Sequence, residues 1–390
     1  MSFLNTITSA FKGGGSARVP IARGFASPWA SAFEMRGQSA PPFDYSTSLQ
    51  AGYASNPVAQ RAVRIVAEGV GAAPVSTPET EDADELLALV TAPSAGQSLV
   101  ETIAAHLLLH GNAFVQVLKD GSGRPVELFA LRPERVTIRP GPIGWPEGFA
   151  YHLGAQTHVI PLEDEDGWPE LIHLKCLNPG DDHYGAGALS AAAQGIAIHN
   201  AASQWNHALL ENAARPSGAL VYQPGDGQGL TADQFERLKA ELASAFQGNG
   251  NAGRPMLLEG GLSWQSMALS PADMDFATLK AAAARDIALA FGVPPMLLGL
   301  PGDNTYSNYR EANRALWRLT LLPLADKIFG GIAAGLSPWF ADARLVVDLD
   351  RVPALSEDRE RLWQQVSGAD FLTDEERRAM LGLAPLENAR

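Results

Sequence analysis

Cysteine is nearly absent: Cys176 is the single one among 390 residues. That excludes a disulfide framework and a cysteine-rich zinc site. Positive charge is short as well. The 29 Lys and Arg stand against 43 Asp and Glu, for a formal net charge of −14, which argues against a protein that grips nucleic acid through a broad basic face. Charge of either sign is sparse, at 18% against about 25% in ordinary soluble domains. Either the core is large, or much of the surface is covered by something other than water. Met1 to Ala17 holds no apolar core long enough for a signal peptide. At roughly 150 residues per domain, the length amounts to two or three domains' worth of chain.

Chemical motifs are missing too. There is no G-x-x-x-x-G-K-[ST] loop to cradle phosphates and no G-x-S-x-G nucleophile elbow. Gly185-Ala-Gly187-Ala-Leu-Ser190 resembles a dinucleotide fingerprint without its last glycine, but Asn178–Tyr184 separates it from the preceding strand and the helix after it is too long for a βαβ unit. His106 and His110 lie four apart, yet Leu107 stands where a zinc-protease helix needs glutamate and no third ligand is apparent. Glu163 to Gly167 fails the register of a calcium loop and reads as a solvated acidic turn. Cys176, in an apolar strand, reads as inert. No nucleophile, base and oxyanion site assemble. The expectation is a structural or interaction protein, not an enzyme, with no cofactor and no metal.

What is present is a clear order of elements. Residues 1–40 carry a Gly13-Gly14-Gly15-Ser16 run without periodicity and read as a flexible arm. Asn56-Pro57 starts a helix ending near Gly69–Gly71, and another runs from Leu99 to about His110. Short strands follow near Ala113–Leu118, Val126–Leu131, Arg135–Arg139, Phe149–Leu153, His158–Ile160 and Leu171–Leu177, so this half is α+β with antiparallel strands. Ala188 to about Ala213 is one long helix with the apolar stripe Ile198, Ala202, Trp205, Leu209. A compact segment comes next: strand Gly218–Tyr222, helix Thr231–Phe246, and strand Pro255–Glu259 with Leu262–Met267 as its hairpin partner. Ser270, Pro271 and Asp273 then open a second long helix, stapled by Leu269 and Met274 and ended by Gly292. A Gly/Pro loop leads to a third helix with Asn308-x-x-Glu311 as a capping box and Pro323 inside it, where a kink is expected. Strand Leu345–Leu349 and two short helices, from Ser356 and from Thr373-x-x-Glu376, close the chain.

The helix from Ala188 is unusual. From His183 to Leu210 there is no Asp, Glu, Lys or Arg, and nine of those 28 residues are alanine. A membrane span is disfavoured by Gln194, His199, Asn200, Ser203, Gln204, Asn206 and His207. Two readings stand: a central helix buried in one large domain, or a helix packed by copies of itself in a symmetric ring.

Phe291-Gly-Val-Pro-Pro-Met-Leu-Leu-Gly299, followed by Asn304-Thr-Tyr-Ser-Asn-Tyr-Arg-Glu-Ala-Asn-Arg314 and Thr320-Leu-Leu-Pro323, closely resembles the portal proteins of long-tailed bacteriophages. Asn56-Pro57-Val58, His110-Gly-Asn-Ala-Phe-Val115, Leu131-Arg-Pro-Glu-Arg-Val136, Ile172-His-Leu-Lys175, Tyr184-Gly-Ala-Gly187 and Leu372-Thr-Asp-Glu-Glu-Arg377 support it in the same order, over roughly residues 45–390. Asp374 stands where Asn is common in the family. The short chain fits a compact phage portal or the portal of a phage-derived gene transfer agent.

The resemblance implies an α+β portal fold and a dodecameric ring at one capsid vertex, assembled in the host cytoplasm, through which double-stranded DNA is packaged and later ejected. It implies as partners the major capsid protein, the large terminase subunit and a head-tail adaptor, with no membrane. Carried onto this chain, 1–40 is the arm, 41–187 the wing, 188–213 the first stem helix, 214–269 the clip and 270–292 the second stem helix. Residues 293–305 hold the tunnel loop, 306–350 the kinked helix and a strand returning to the wing, and 351–390 the crown. The loop facing the channel would be Leu298, Gly299, Leu300, Pro301, Gly302, Asp303, Asn304 and Thr305. Ile198, Ala202, Trp205, Leu209 and Ile287 would meet the neighbouring subunit in the stem, and Pro323 would kink the long helix. Twelve copies at −14 each would repel DNA and let it slide, with Lys280 or Arg285 as the alternative sparse phosphate contacts.

Overall fold

The structure is a computed structural model. It describes residues 45–141, 144–211, 218–222, 262–266, 276–300, 306–341 and 343–383, with single positions between 231 and 237. The arm 1–40, the helix Thr231–Phe246 apart from those positions, the strand Pro255–Glu259, the capping residues Leu269–Met274, and Pro301 to Thr305 lie outside the described residues.

Asn56 caps helix α2 (Pro57–Gly71), its side chain accepting from the N–H groups of Val58 and Ala59, with Pro57 in the first turn where no amide proton is needed. A short helix α1 (Tyr45–Leu49) precedes it and runs into a π turn at Gln50–Ala54. Helix α3 (Ala83–Thr91) and helix α4 (Leu99–Leu109, capped by Ser98) follow. Strands β1 (Val75–Ser76), β2 (Pro93–Ser94) and β3 (Gln97–Ser98) are two residues each. The first substantial sheet has the order β5-β4-β9, from β4 (Asn112–Lys119), β5 (Pro125–Leu131) and β9 (Leu171–Lys175), all antiparallel. A second meander joins β6 (Val136–Pro140), β7 (Pro146–Leu153) and β8 (Gln156–Pro161). The α+β reading and its antiparallel strands hold, with boundaries moved by one to three residues.

Helix α5 (Ala188–Glu211) is the long charge-poor helix, and α6 (Phe276–Ala290) packs along it. Between them β10 (Gly218–Tyr222) pairs antiparallel with β11 (Leu262–Ser266). The expected partner of Leu262–Met267 was Pro255–Glu259. That strand lies outside the described residues; the pairing seen joins the two ends of the segment, register Gly218 to Ser266 and Tyr222 to Leu262.

The third helix begins at Tyr306, so Asn308 and Glu311 lie within its first turns and form no capping box there. It has three parts: α7 (Tyr306–Leu316), a π turn (Trp317–Leu321), and α8 (Leu322–Leu336). The cause is Pro323. In α geometry its ring would strike the Leu319 carbonyl one turn back. The wider turn, with the Leu322 N–H bonded to the Trp317 carbonyl, lies just ahead of it. The departure from α geometry therefore falls at Trp317–Leu321 rather than at Pro323 itself. By length and composition Ser307–Leu336 could cross a membrane, but Ala325, Ile328, Phe329, Ile332 and Leu336 are buried in the protein's own core.

Strand β12 (Val346–Val347) returns to pair with β1. Helix α9 (Ser356–Ser367) and helix α10 (Asp374–Leu381) end the described chain; α10 has the full capping box of Thr373 and Glu376 and a left-handed Gly382 at its end. One large core unites α2, α4, α8 and the β4–β9 face with Leu189, Ala192 and Ile196 of α5 and Ile287 and Phe291 from the end of α6. A smaller one, around Phe114, Phe149 and Leu171, lies between the two sheets.

Candidate functional site

Three places stand out: the pair α5 and α6, the base of the loop after α6, and the crossing at which α5 leaves the sheets. At the crossing, Gly111 has φ +83°, and a Cβ there would lie 2.4 Å from backbone atoms of Ala186 and Gly187. A Cβ on Gly185 would lie 2.1 Å from the Gly111 carbonyl oxygen. The Cys176 N–H donates to that same carbonyl at 2.8 Å. The glycines that resemble a nucleotide fingerprint are there because two backbones touch, not to approach phosphate.

Asn112 stitches this crossing. Its Oδ1 accepts from the Gly185 N–H at 2.7 Å, and its Nδ2 donates to the Gly185 carbonyl at 3.2 Å. His173 Nε2 lies 3.1 Å from Asn112 Oδ1 and its ring stacks on Phe114 at 4.4 Å. Of the candidate metal pair, His110 is buried and His106 half-buried beside this network; Tyr45 packs edge-on against His110 at 4.8 Å. Burial pushes all three histidines down to about 4, so they are neutral. No group of three metal-ligating side chains occurs among the described residues. The acidic turn is not simply solvated: Asp164 and Glu170 hold the Lys119 ammonium at 2.5 and 3.0 Å, and Lys119 sits over the Trp339 ring.

Helices α5 and α6 approach closely where a Cβ on Gly195 would lie 3.3 Å from Ile287 and 3.4 Å from the Ala283 carbonyl. The apolar stripe divides. Ala202 and Ile287 are 3% and 0% exposed within the single chain, so the protomer itself covers them and they are not offered to a neighbour. This corrects the expectation that both face the next subunit; small residues let α5 and α6 close on each other instead. Ile198 is half-buried, Trp205 is 45% exposed, and Leu289 on α6 is 79% exposed. Leu209 lies in α5, with its side chain outside the described ones. Lys280 is half-buried and Arg285 exposed.

The loop after α6 is held at its base. Gly292 adopts φ +66°, its carbonyl accepts from Thr320 Oγ1 at 2.6 Å, and a Cβ there would collide with Thr320. Phe291 and Val293 are buried on either side. Pro295–Leu298 forms a 3₁₀ turn closed by left-handed Gly299. The π turn thus brings Thr320 back to the start of the excursion, and the two motif blocks Phe291–Gly299 and Thr320–Pro323 meet in space. Leu298 is half-buried and Gly299 exposed at the loop's outset; Pro301, Gly302, Asp303, Asn304 and Thr305 lie outside the described residues. The Thr320–Gly292 contact had no sequence signal of its own beyond the adjacency of the two blocks to prolines.

Comparison with known proteins decides the family. The model of the phage portal protein family matches residues 57–382. The chain belongs to the phage portal protein family. A solved structure, the neck of a native gene transfer agent particle computed with C12 symmetry, is similar at 45% identity with a TM-score of 0.67, covering 91% of this chain and 99% of that one. A protein of Rickettsia bellii is 38% identical over 86% of this chain and 89% of its own length. The probable portal protein of Streptomyces phage phiC31 is 26% identical over 83% of this chain and 74% of its own. The portal fold, with its mixed sheets, paired α5 and α6 and π-broken long helix, is thus the frame in which these three places lie.

Proposed function

We propose that this portal protein forms a twelve-membered ring at one vertex of a gene transfer particle, and that double-stranded DNA enters and leaves through the ring. The observation that carries it is the likeness, at nearly full length on both sides, to a chain in a particle neck of C12 symmetry. The phage relative supports the same role in a virion, so an infectious phage is the variant reading.

In this assignment residues 41–187 are the wing, α5 and α6 the stem, residues 214–269 the clip that meets the terminase motor and later the head-tail adaptor, and residues from about 351 the crown inside the head. The ring is a structural conduit and not an enzyme. Residues 293–305 form the tunnel loop, and the clamp of Thr320 on Gly292 lets it project from a fixed base. Exposed Trp205 and Leu289, on a helix pair with few charges, supply the apolar wall between subunits. The formal −14 per chain disfavours adhesion of a duplex that is itself uniformly anionic.

The test is to delete the gene in a producing cell and measure nuclease-protected DNA in purified particles. The account predicts heads without DNA, restored by the intact chain; DNA-filled heads in its absence would refute it.

A further inference from the structure

The long helix carries arginines at every fourth position, Arg310 and Arg314 in α7 and Arg318 in the π turn, and the first turn of α9 lies across them. Glu357 spans the first two, with Oε1 at 2.5 Å from Arg310 Nη1 and Oε2 at 2.9 Å from Arg314 Nη2. Asp358 spans the next two, with Oδ2 at 3.4 Å from Arg314 Nε and 3.7 Å from Arg318 Nη2. Glu311, on α7 itself, holds Arg314 Nη1 at 2.9 Å.

Arg314 is the covered centre, its side chain 15% exposed, while Arg310 and Arg318 are 46% and 60% exposed. The cover is imperfect: Arg314 Nε and Asp358 Oδ2 are both buried, and neither has a hydrogen-bond partner although they face each other. With a rise of about 1.5 Å per residue, the guanidinium-bearing positions step about 6 Å along the helix. Guanidinium forks fit carboxylate and phosphate oxygens with the same geometry. Among the described residues three carboxylates face the three arginines, and two of the three come from α9.

We propose that Arg310, Arg314 and Arg318 form a site for the backbone phosphates of double-stranded DNA, masked in this conformation by Glu357 and Asp358 of the crown helix. The inference rests on the portal reading and adds a regulated contact to it. With α9 seated, Glu357 and Asp358 offset the row and DNA slides; with α9 lifted, those two carboxylates leave, Glu311 alone of the three stays, and the subunit grips.

The test is binding of a fluorescent blunt duplex of about 30 base pairs to the purified full chain, by anisotropy across a salt series. E357Q/D358N keeps the shape of the cover and removes its charge; it should bind at least tenfold tighter than the parent, with a steeper salt dependence. E79Q/E81Q, which removes two charges from an exposed segment elsewhere, should leave binding unchanged. Adding R310Q/R314Q/R318Q to E357Q/D358N should abolish the gain. The proposal is overturned if E357Q/D358N binds no tighter than E79Q/E81Q, or if the gain survives loss of the three arginines. Should circular dichroism show E357Q/D358N misfolded, E357Q alone must still give a partial gain, and its absence overturns the proposal equally. Native mass spectrometry of the same samples separates the two readings: rings without the gain defeat the mask alone, whereas a parent chain that forms no ring defeats the portal reading.

Discussion

Asn56 Nδ2 lies 3.1 Å from His199 Nδ1, a contact that joins the cap of α2 to the middle of α5 across 143 positions. An amide N–H can only donate, so Nδ1 accepts and His199 is neutral with its proton on Nε2. The same Nδ2 donates to Asn200 Oδ1 at 2.8 Å, and Asn200 Nδ2 donates to the Ala51 carbonyl at 3.0 Å. Burial first, and Lys280 second, hold the His199 imidazole below its ordinary value. The start of α2 is thus tied to the middle of α5 by a small polar network, as rigid as its hydrogen bonds are complete.

Asn56→Asp keeps the acceptor for the helix cap and removes the donor. A carboxylate would then face Nδ1 and Asn200 Oδ1, at a cost of about 1–3 kcal/mol. The new charge would raise the His199 value, so protonation would restore attraction as pH falls. Thermal unfolding should show a larger loss of stability at pH 8 than at pH 6. An equal loss at both would remove the network from the account.

His106, His110 and His173 are each held down to about 4 by burial, against an ordinary value of 6.5. The unfolded chain therefore binds more protons between these limits, and stability rises with pH across that window. Their stabilising contribution is complete above pH 6.5 and disappears as pH falls through about 4. A His173→Gln variant should show a shallower decline between pH 6.5 and 4 in denaturant titrations, while an unchanged slope would mean His173 titrates normally.

Gly111 and Gly299 both have positive φ, at +83° and +72°, but only Gly111 is pressed against another backbone; nothing lies within 4 Å of a Cβ on Gly299. Gly299→Ala should therefore cost about 1–2 kcal/mol, the strain of a left-handed residue. Gly111→Ala should prevent the α5 entrance from closing on the wing and yield no soluble, cooperatively unfolding protein. Comparable melting curves for the two variants would contradict the crossing described above.

Ala202→Asp and Trp205→Asp separate folding from assembly. A charge at Ala202 is buried within the chain and unpaired, which is strongly destabilising; circular dichroism should show a less stable protomer. A charge at Trp205 should leave the protomer's melting temperature within a few degrees of the parent and suppress oligomers in native mass spectrometry. Intact rings from Trp205→Asp would remove Trp205 from the interface.

The sequence was most readable where local chemistry decides alone. Asn56-Pro57, Thr373-x-x-Glu376 and the apolar run Ala113–Leu118 lie where the pattern puts them, because caps and short buried strands are signalled by near neighbours. It was least readable where distant segments compete. Leu262–Ser266 pairs with Gly218–Tyr222, forty residues away, a partner that no local turn signal announces. Asn308 looks like a cap, but the helix begins earlier at Tyr306. Ala202 fits a subunit wall by its stripe, yet periodicity identifies a covered face without saying which chain covers it. Pro323 announced a disturbance, but not its form: a π turn one step ahead of it, which carries Thr320 to the Gly292 carbonyl.

The account stands on a hollow ring of identical chains. Electron-microscopy class averages of the purified full-length protein test this most directly: they should show closed rings of twelve subunits around an axial hole, with the α5–α6 pairs lining the narrow part. Solid particles, or monomers that persist at every protein concentration, would contradict it.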